Sequence, residues 1–577
     1  MTAHQANADG DLLHRARTWL AEDPDPETRE ELENLLAAAE RGPGESSAAA
    51  WSELAERFAG TLQFGTAGLR GEMGAGPMRM NRAVVIRAAM GLAAYLKRES
   101  GSGLVVIGYD ARHNSDVFAR DTAAVMVAQG LKAALLPGPL PTPVLAYAVR
   151  HFGAAAGVAV TASHNPPRDN GYKVYLGGAF GGSQIVPPHD AGIAAEIEAV
   201  GTLDEVPLAV EGWDVLTEAE VLEPYLTRAA AVVDEHAPRD LSVVYTPMHG
   251  VGRGTLLAAF ERAGFPTPTV VTAQGDPDPA FPTVAFPNPE EPGAMDLSFA
   301  AAAEHQPDIV IANDPDADRL AVAVPDPSAA NGGGRGSGWR MLRGDEVGAL
   351  LAAHLVAKGA KGTFATTIVS SSLLARIAEA AGLGYEETLT GFKWLSRVDD
   401  LRYGYEEALG YCVDPEAVRD KDGVSAALLM AELAATLKSQ GRTLTDLLDD
   451  LAATHGLHAT DQLSVRVADV RVISDAMARL REQPPTRLAG LHVDSAEDLE
   501  AGSAALPPTD GLRYHLSGEG VTGARIVVRP SGTEPKLKCY LEVVVPVGGV
   551  AELRAAHELA TSLLAALKSD LGAAAGL

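Results

Sequence analysis

Short apolar, β-branched runs alternate with Ala- and Leu-rich helical stretches along most of this chain, and this alternation constrains its fold more than any other feature. The runs lie at 104–110, around 134, and at 157–163, 242–248, 308–314 and 363–369. A strand followed by a helix and a second strand packs most readily as a parallel βαβ unit. The sequence therefore predicts an α/β fold with parallel or mixed sheets.

The length of the chain requires several hydrophobic cores. With 577 residues, 46% of them hydrophobic, we expect about four domains of ~150 residues each. A helical pattern from about Leu12 to Phe58 predicts an N-terminal arm, and alternating strands followed by a helix from about Thr460 predict a separate α+β domain. In this last block we expect strands at 463–472, 524–530 and 537–547.

The predicted boundaries are 1–60 for the helical arm, 61–215, 216–328 and 339–458 for three α/β domains, and 459–577 for the C-terminal domain. Between the second and third domains, the Gly-rich residues 328–338 predict a mobile hairpin tip.

Charge and cysteine content exclude several classes of protein. The formal net charge of −29 disfavours attraction to nucleic acid or anionic lipid, so an anionic substrate would need a locally basic pocket. Cys412 and Cys539 are too few for a disulfide framework or a cysteine-based zinc site. No signal peptide or membrane-length apolar run stands out. We therefore expect a soluble, cytoplasmic protein without a nucleic-acid or membrane partner.

Three carboxylates alternate along the segment DPDAD, directly after one predicted strand. Asp314, Asp316 and Asp318 offer hard oxygen ligands that suit Mg²⁺ or Ca²⁺. An EF-hand loop would need Gly and Glu where this chain has Arg319 and Pro325, so that interpretation fails. Considered alone, the segment is also compatible with a solvated acidic turn.

The segment TASHNPPRDNGYKVY, residues 161–175, places Ser163 at the end of another predicted strand, before His164 and Asn165. A serine there can be an exposed nucleophile, but Ser and Asn before Pro are also common in turns. No G-x-S-x-G motif surrounds Ser163, which argues against an esterase.

Basic residues gather near the C-terminus of this acidic chain, in RPSGTEPKLK at 529–538. Its guanidinium, ammonium, hydroxyl and backbone N–H groups suit a bound phosphate, although a solvated turn is the alternative. Upstream, GYEEALGY at 404–411 and RDKDG at 419–423 offer carboxylates to sugar hydroxyls, and Lys421 lies close by in sequence.

In this order, the four segments resemble the α-D-phosphohexomutase family over nearly the whole chain from about Phe64. The resemblance implies three related α/β domains and a C-terminal α+β domain around a central cleft. It implies that Ser163 is phosphorylated and shares a metal with Asp314, Asp316 and Asp318. It assigns the sugar to Glu406 and Glu407, and a phosphate to Arg529, Ser531, Gly532 and Thr533.

The segments FGTAGLRG, GYDARHNS and TGFKWLS resemble accessory loops of that family. They add Arg70, Arg112, Thr390, Gly391 and Lys393. The family's N-G-x-K position implies that Lys173 is a candidate base, and His164 is the other candidate. We count Arg70 among the catalytic residues, and Arg319 and Lys421 among those that bind substrate.

The resemblance implies a Mg²⁺-dependent mutase that interconverts hexose 1-phosphate and hexose 6-phosphate, of glucose or mannose, with hexose 1,6-bisphosphate as activator. Ala408 stands where many hexose-specific members have serine. Together with the helical arm and RDKDGVSAA, this difference makes the chain look like a long-chain branch of the family that also contains phosphopentomutases. Ribose or deoxyribose phosphate is therefore the alternative substrate. A non-catalytic sugar-phosphate sensor and a metal-dependent phosphatase are further alternatives. We expect a monomer or a small homo-oligomer.

Overall fold

A computed structural model describes residues 3–41, 44–65, 68–326, 338–467, 469–503, 506–531 and 536–577. The chain divides into two compact units. The first comprises Met1–Glu235, Leu241–Trp339 and Asp414–Leu428, and the second comprises His236–Asp240, Arg340–Val413 and Leu429–Leu577.

Three helices open the first unit: α1 (Ala3–Glu22), α2 (Pro26–Ala39) and α3 (Glu45–Arg57). Asp25 caps α2 by accepting a hydrogen bond from Glu27 N, and Pro26 stands at the first helical position, where its missing N–H costs nothing. Leu12, Leu32 and Leu54 from the three helices share one small apolar core. The helical pattern predicted from Leu12 to Phe58 is confirmed.

A seven-stranded mixed sheet follows. Its strands are β1 (Leu69–Glu72), β2 (Leu104–Tyr109), β3 (Lys132–Leu135), β4 (Ala156–Val160), β5 (Asp169–Leu176), β6 (Ser183–Gln184) and β7 (Asp214–Val215), in the order β1-β5-β4-β2-β3-β7 with β6 beside β5. The accompanying helices are α4 (Arg82–Ser100), α5 (Ser115–Ala128), α6 (Thr142–His151), α7 (His189–Glu198) and α8 (Glu218–Ala230). The strands β2, β3, β4 and β7 are parallel, whereas β5 runs antiparallel to β4 and β1.

The second sheet has the order β12-β11-β10-β8-β9. Its strands are β8 (Val243–Thr246), β9 (Thr269–Val270), β10 (Ile309–Ala312), β11 (Ala321–Pro325) and β12 (Trp339–Met341), with helices α9 (Gly252–Arg262) and α10 (Asp296–His305). Every residue of β10 is buried, which fits a strand at the centre of its sheet, parallel to β8 and antiparallel to β11. The predicted hairpin tip at 328–338 lies outside the described residues except for Gly338.

The third sheet has the order β14-β13-β15-β16. Its strands are β13 (Thr363–Thr367), β14 (Gly384–Thr388), β15 (Leu401–Glu406) and β16 (Gly410–Cys412). The helices in this part of the chain are α11 (Gly344–Ala357), α12 (Leu373–Ala380), α13 (Phe392–Leu395), α14 (Gly423–Ser439) and α15 (Leu444–His455).

The C-terminal sheet is antiparallel throughout, in the order β17-β22-β21-β20-β19-β18. It contains β17 (Leu457–Arg466), β18 (Arg487–Leu488), β19 (Leu491–Asp498), β20 (Leu512–Ser517), β21 (Gly523–Pro530) and β22 (Lys536–Val545), with helices α16 (Arg471–Glu482) and α17 (Leu553–Ala575).

One predicted strand is wrong in its second half. The expectation of a strand over 463–472 holds only as far as Arg466, and α16 begins at Arg471. Ile473, Ala476, Met477 and Leu480 are buried at helical spacing, whereas Val470 and Val472 are exposed. Burying that helical stripe outweighs the β-propensity of the two valines.

The expected fold class is confirmed, with three α/β sheets of mixed direction and a C-terminal α+β sheet. Among the described residues, no helix combines the length and the apolar character that crossing a bilayer requires.

Candidate active site

The acidic segment lies immediately after β10, in the first unit. Asp314, Asp316 and Asp318 are completely buried, and one carboxylate oxygen from each lies within 4.8 Å of the others. Because loops at the carboxyl ends of parallel strands line the ligand-binding edge of such sheets, this placement fits a functional site. A solvated acidic turn is excluded by the burial.

The three carboxylates fit a divalent cation. Asp316 Oδ1 and Asp318 Oδ1 are buried, and each has no hydrogen-bond partner among the described residues. Burial raises the pKa of Asp314 well above its ordinary value, and the negative charges of Asp316 and Asp318 raise it further. A hard cation such as Mg²⁺ would satisfy the unpartnered oxygens and offset this repulsion.

Basic side chains surround the acidic segment. Lys173 Nζ lies 2.8 Å from Asp316 Oδ2 and 3.2 Å from Asp318 Oδ2, and Lys421 Nζ lies 3.2 Å from the same Asp318 oxygen. Arg319 Nε is 3.8 Å from both Asp314 and Asp318. Burial alone would lower the pKa of Lys173, but the two aspartates outweigh it and the pKa is raised. Lys173 is therefore protonated in this arrangement.

Ser163 contacts the acidic segment directly. It follows β4, is 2% exposed, and its Oγ donates a hydrogen bond to Asp314 Oδ2 at 2.7 Å. Its φ of 50° lies in the left-handed region, which is strained for serine by roughly 1–3 kcal/mol. Ser163 N donates to Thr161 Oγ1 at 2.9 Å, which stabilises this turn.

His164 and Arg70 lie beside the serine. His164 Nδ1 is 3.9 Å from Asp314 Oδ2, and its pKa is lowered well below the usual range, first by burial and then by the charges of Arg319 and Arg70. Arg70 pairs with Gly171 across β1 and β5 and donates from Nη1 to Asn165 Oδ1 at 3.2 Å. The first unit thus brings together nine predicted residues: Arg70, Ser163, His164, Lys173, Asp314, Asp316, Asp318, Arg319 and Lys421.

The predicted sugar-binding residues belong to the second unit. Glu406 ends β15, and Glu407 Oε2 accepts hydrogen bonds from Ser370 Oγ at 3.0 Å and Thr367 Oγ1 at 3.3 Å. Thr390, Gly391 and Lys393 are half-buried around the start of α13, where Gly391 has a φ of 106°.

The predicted phosphate-binding segment connects β21 to β22 in the C-terminal sheet. Arg529 lies opposite Lys538, and Ser531 N donates to Lys536 O at 2.8 Å. Arg529 and Ser531 are half-buried. Gly532 and Thr533 lie outside the described residues.

Sequence reasoning missed several residues of the first-unit site. Thr142 Oγ1 donates to Asp316 Oδ2 at 2.7 Å. Asp420 is completely buried and accepts hydrogen bonds from Tyr175 OH at 2.7 Å, Gln184 Nε2 at 2.6 Å and Lys421 N at 2.8 Å. Asp420 belongs to RDKDG, whose carboxylates the sequence indicates only as a group. No motif marks Thr142 in its own segment.

Four family models match this chain in order. "Phosphoglucomutase/phosphomannomutase, alpha/beta/alpha domain I" matches residues 61–203, domain II matches 223–330, domain III matches 343–455, and the C-terminal domain of the same family matches 498–559.

Curated relatives and a solved structure agree with these matches. The "Probable phosphomannomutase" of Haemophilus influenzae is 49% identical over 81% of this chain and 93% of its own length. The phosphopentomutase of Mus musculus is 35% identical over 94% of this chain and 91% of its own length. A phosphoglucomutase/phosphomannomutase family protein from Burkholderia thailandensis superposes with a TM-score of 0.66 at 18% identity, over 89% of this chain and 97% of that one, which shows a shared fold.

Proposed function

This chain belongs to the phosphoglucomutase/phosphomannomutase family of intramolecular phosphotransferases, and from that premise we propose that it interconverts hexose 1-phosphate and hexose 6-phosphate, of glucose or mannose, through a phosphorylated Ser163. The observation that carries the proposal is the contact of Ser163 Oγ with Asp314 Oδ2, because it puts a hydroxyl nucleophile against a cation-competent cluster 151 positions away in sequence.

Asp314, Asp316 and Asp318 would hold Mg²⁺ together with the phosphate on Ser163, and the bound ion supplies charge stabilisation for the serine oxygen as it departs. Lys173, Lys421 and Arg319 lie against the same carboxylates. Their positive charge offsets part of the excess negative charge that three carboxylates and a phosphoserine create.

The accepting sugar hydroxyl has to lose a proton, and we assign this step to His164 or Lys173. His164 is neutral because burial and the adjacent guanidinium groups of Arg319 and Arg70 hold its pKa low, which leaves its ring unprotonated but weakens it as a base. Lys173 is protonated beside its two aspartates, so it becomes a base only when the charge around it changes. Arg70, held by Asn165, brings a further positive charge to the phosphoserine.

The two reacting hydroxyls lie at opposite ends of the sugar. The first transfer moves the phosphoryl group from Ser163 to the substrate, and the resulting hexose 1,6-bisphosphate must turn around before its other phosphoryl group returns to Ser163. Free hexose 1,6-bisphosphate therefore restores the phosphate on a Ser163 that has lost it, and in this way acts as activator. We assign the sugar to Thr390, Gly391, Lys393, Glu406 and Glu407. We assign the phosphate that is not transferred to Arg529, Ser531, Gly532 and Thr533.

Ribose or deoxyribose phosphate is the second candidate substrate. The likeness to the mouse phosphopentomutase extends over 94% of the chain, and Ala408 replaces the serine of many hexose-specific members. The higher identity to the Haemophilus protein favours hexose. We place the reaction in the cytoplasm, where the buried thiols of Cys412 and Cys539 stay reduced.

A coupled assay with glucose 1-phosphate, mannose 1-phosphate and ribose 1-phosphate tests the proposal. We expect kcat/KM to be highest for one of the hexose phosphates, and to depend on hexose 1,6-bisphosphate. A higher kcat/KM for ribose 1-phosphate would transfer the assignment to the pentomutase alternative.

Two measurements separate the remaining classes. A sugar-phosphate sensor would bind these compounds without isomerising them, and intact mass would detect no phosphoserine. A phosphatase would release inorganic phosphate at a rate comparable with isomer formation. We expect neither result, because Ser163 and all three aspartates are present and assembled.

A further inference from the structure

Arg112 binds the backbone of residues 163–169, which we call the serine loop. Its Nη2 donates to Ser163 O and Asn165 O, both at 2.6 Å, and its Nη1 donates to Pro166 O at 2.8 Å and Asp169 O at 3.0 Å. One guanidinium therefore satisfies four carbonyl groups within seven residues of chain. These contacts act on the backbone and leave Ser163 Oγ pointing to Asp314.

The guanidinium is itself held on two further sides. Asp110 Oδ2 lies 3.5 Å from Arg112 Nε, and Asp110 Oδ1 accepts hydrogen bonds from Arg112 N at 3.0 Å and Ser115 Oγ at 2.7 Å. The ring of Phe281 lies 4.9 Å from the guanidinium carbon and is 2% exposed. Arg112, at 4% exposure, is therefore fixed by a carboxylate and an aromatic face in a buried position.

The serine loop needs such a partner. With φ at 50°, Ser163 is held in a conformation that serine seldom adopts. Its carbonyl group is buried and those of Asn165, Pro166 and Asp169 are part-buried, so leaving them without donors would cost free energy. Arginine supplies several N–H groups in a planar fork, whereas lysine has a point charge that cannot reach four carbonyl groups at once.

We propose that Arg112 is a positioning residue that keeps the phosphorylated serine loop in the geometry that transfers the phosphoryl group to sugar instead of to water; this inference rests on the proposed function of Ser163. Hydrolysis would break the bond between Ser163 Oγ and phosphorus and form a bond from phosphorus to the water oxygen. One proton of the water would pass to Ser163 Oγ, and inorganic phosphate would leave. A loosened loop favours this reaction because the aligned acceptor loses its advantage over water.

The test compares Arg112→Lys with Arg120→Lys in the full-length phosphorylated protein. Arg120 is the matched control, because it lies on α5 with its side chain 61% exposed and pairs with Asp116, four residues before it, at 3.2 Å. Intact mass follows the lifetime of the phosphoserine, and inorganic phosphate is measured against isomer formed. We expect Arg112→Lys to raise phosphate release per isomer at least about tenfold, with Arg120→Lys unchanged.

A second variant keeps the proposal testable if Arg112→Lys does not fold. Phe281→Leu retains an apolar side chain but removes the aromatic face, and we expect a smaller increase of phosphate release in the same direction. If the unmodified protein never carries phosphate on Ser163, the proposed function itself is wrong. If it does, and both variants partition between sugar and water as the parent does, Arg112 has only a structural role and the inference is overturned.

Discussion

Ser163 combines a strained backbone with a hydroxyl directed at a buried carboxylate, a combination that a purely structural residue would not need. We predict that Ser163→Ala lowers turnover by about three or more orders of magnitude, because it removes the hydroxyl that we propose carries the phosphate. The fold should persist, since alanine replaces one small side chain at an unchanged backbone.

Ser298→Ala is the matched control, because Ser298 is a completely buried serine in α10 of the same unit. Steady-state rates and thermal unfolding midpoints of both variants are the measurements. Turnover of Ser163→Ala within tenfold of the parent would show that another residue carries the phosphate.

Asp345 gives the second unit a pH-dependent stability. Burial raises its pKa to about 6, opposed by the hydrogen bond from Ser371 N at 2.7 Å and reinforced by the charges of Glu407 and Glu542. The pKa of Asp345 is higher in the folded protein than in the unfolded chain, so folding favours the protonated carboxyl. The stability that this carboxyl contributes is fully present below about pH 4 and is lost as pH rises through 6. The loss is roughly 3 kcal/mol.

We predict that Asp345→Asn removes this pH dependence. Relative to the parent, the free energy of unfolding of the variant should increase between pH 4 and 6, and the difference between the two proteins should stay constant above pH 6. Urea unfolding at a series of pH values measures this. Glu379→Gln, at an exposed position of α12, is the control. A difference between Asp345→Asn and the parent that does not change with pH would contradict the role of Asp345.

At the scale of elements, the turn before α9 supports the acidic segment. Val251 N donates to Pro315 O at 2.8 Å, and a Cβ on Gly250 would lie 2.3 Å from Pro315 Cα. We predict that Gly250→Ala displaces the acidic segment and weakens Mg²⁺ binding at least about tenfold, because the ligand oxygens no longer converge. Calorimetric titration of the purified protein with Mg²⁺ measures the change.

Gly254→Ala is the control, since a Cβ at Gly254, one turn further along α9, meets no atom within 4 Å. Alanine favours the helix there, so folding should be unharmed. Equal Mg²⁺ affinity in the two variants would mean that the turn tolerates a side chain beside Pro315.

The sequence predicts a helix or strand best when residues within that element determine it. The strands β2, β4, β8, β10 and β13 were predicted because buried parallel strands are continuous apolar runs. The segment 463–472 was misread because the stripe that makes α16 a helix begins only at Ile473, beyond the predicted strand. Local pattern thus predicts elements well and their ends less well.

The site itself was predictable only in part. Ser163 and the three aspartates could be predicted to lie together because their two segments each follow a predicted strand and carry a distinctive local motif. Thr142 and Phe281 carry no such motif, and their contacts with Asp316 and Arg112 join residues more than a hundred positions apart. Such partners are defined by tertiary packing, which the sequence pattern does not encode locally. The roles of the residues on β15 and β21 stay predictions.

At the scale of the whole molecule, a net charge of −29 contrasts with the basic residues around the acidic segment. Arg70, Lys173, Arg319 and Lys421 gather in the first unit, where they face the three carboxylates. An anionic substrate is therefore attracted only at close range, because the surface as a whole repels it and salt screens both effects.

Metal removal tests the same unit. All four proposed ligands of Mg²⁺ belong to the first unit, and a ligand that binds only the folded state stabilises what it binds, by about 2.7 kcal/mol at 100 times Kd. We predict that Mg²⁺ slows hydrogen exchange in peptides that cover β4, β10 and the segments after them, and leaves the C-terminal sheet from β17 to β22 unchanged.

EDTA should reverse the protection and abolish activity, and Asp316→Asn should weaken both responses because it removes one of three ligand charges. Full activity in EDTA would contradict the metal assignment. Protection that appeared equally in the C-terminal sheet would instead show that Mg²⁺ acts beyond the acidic segment.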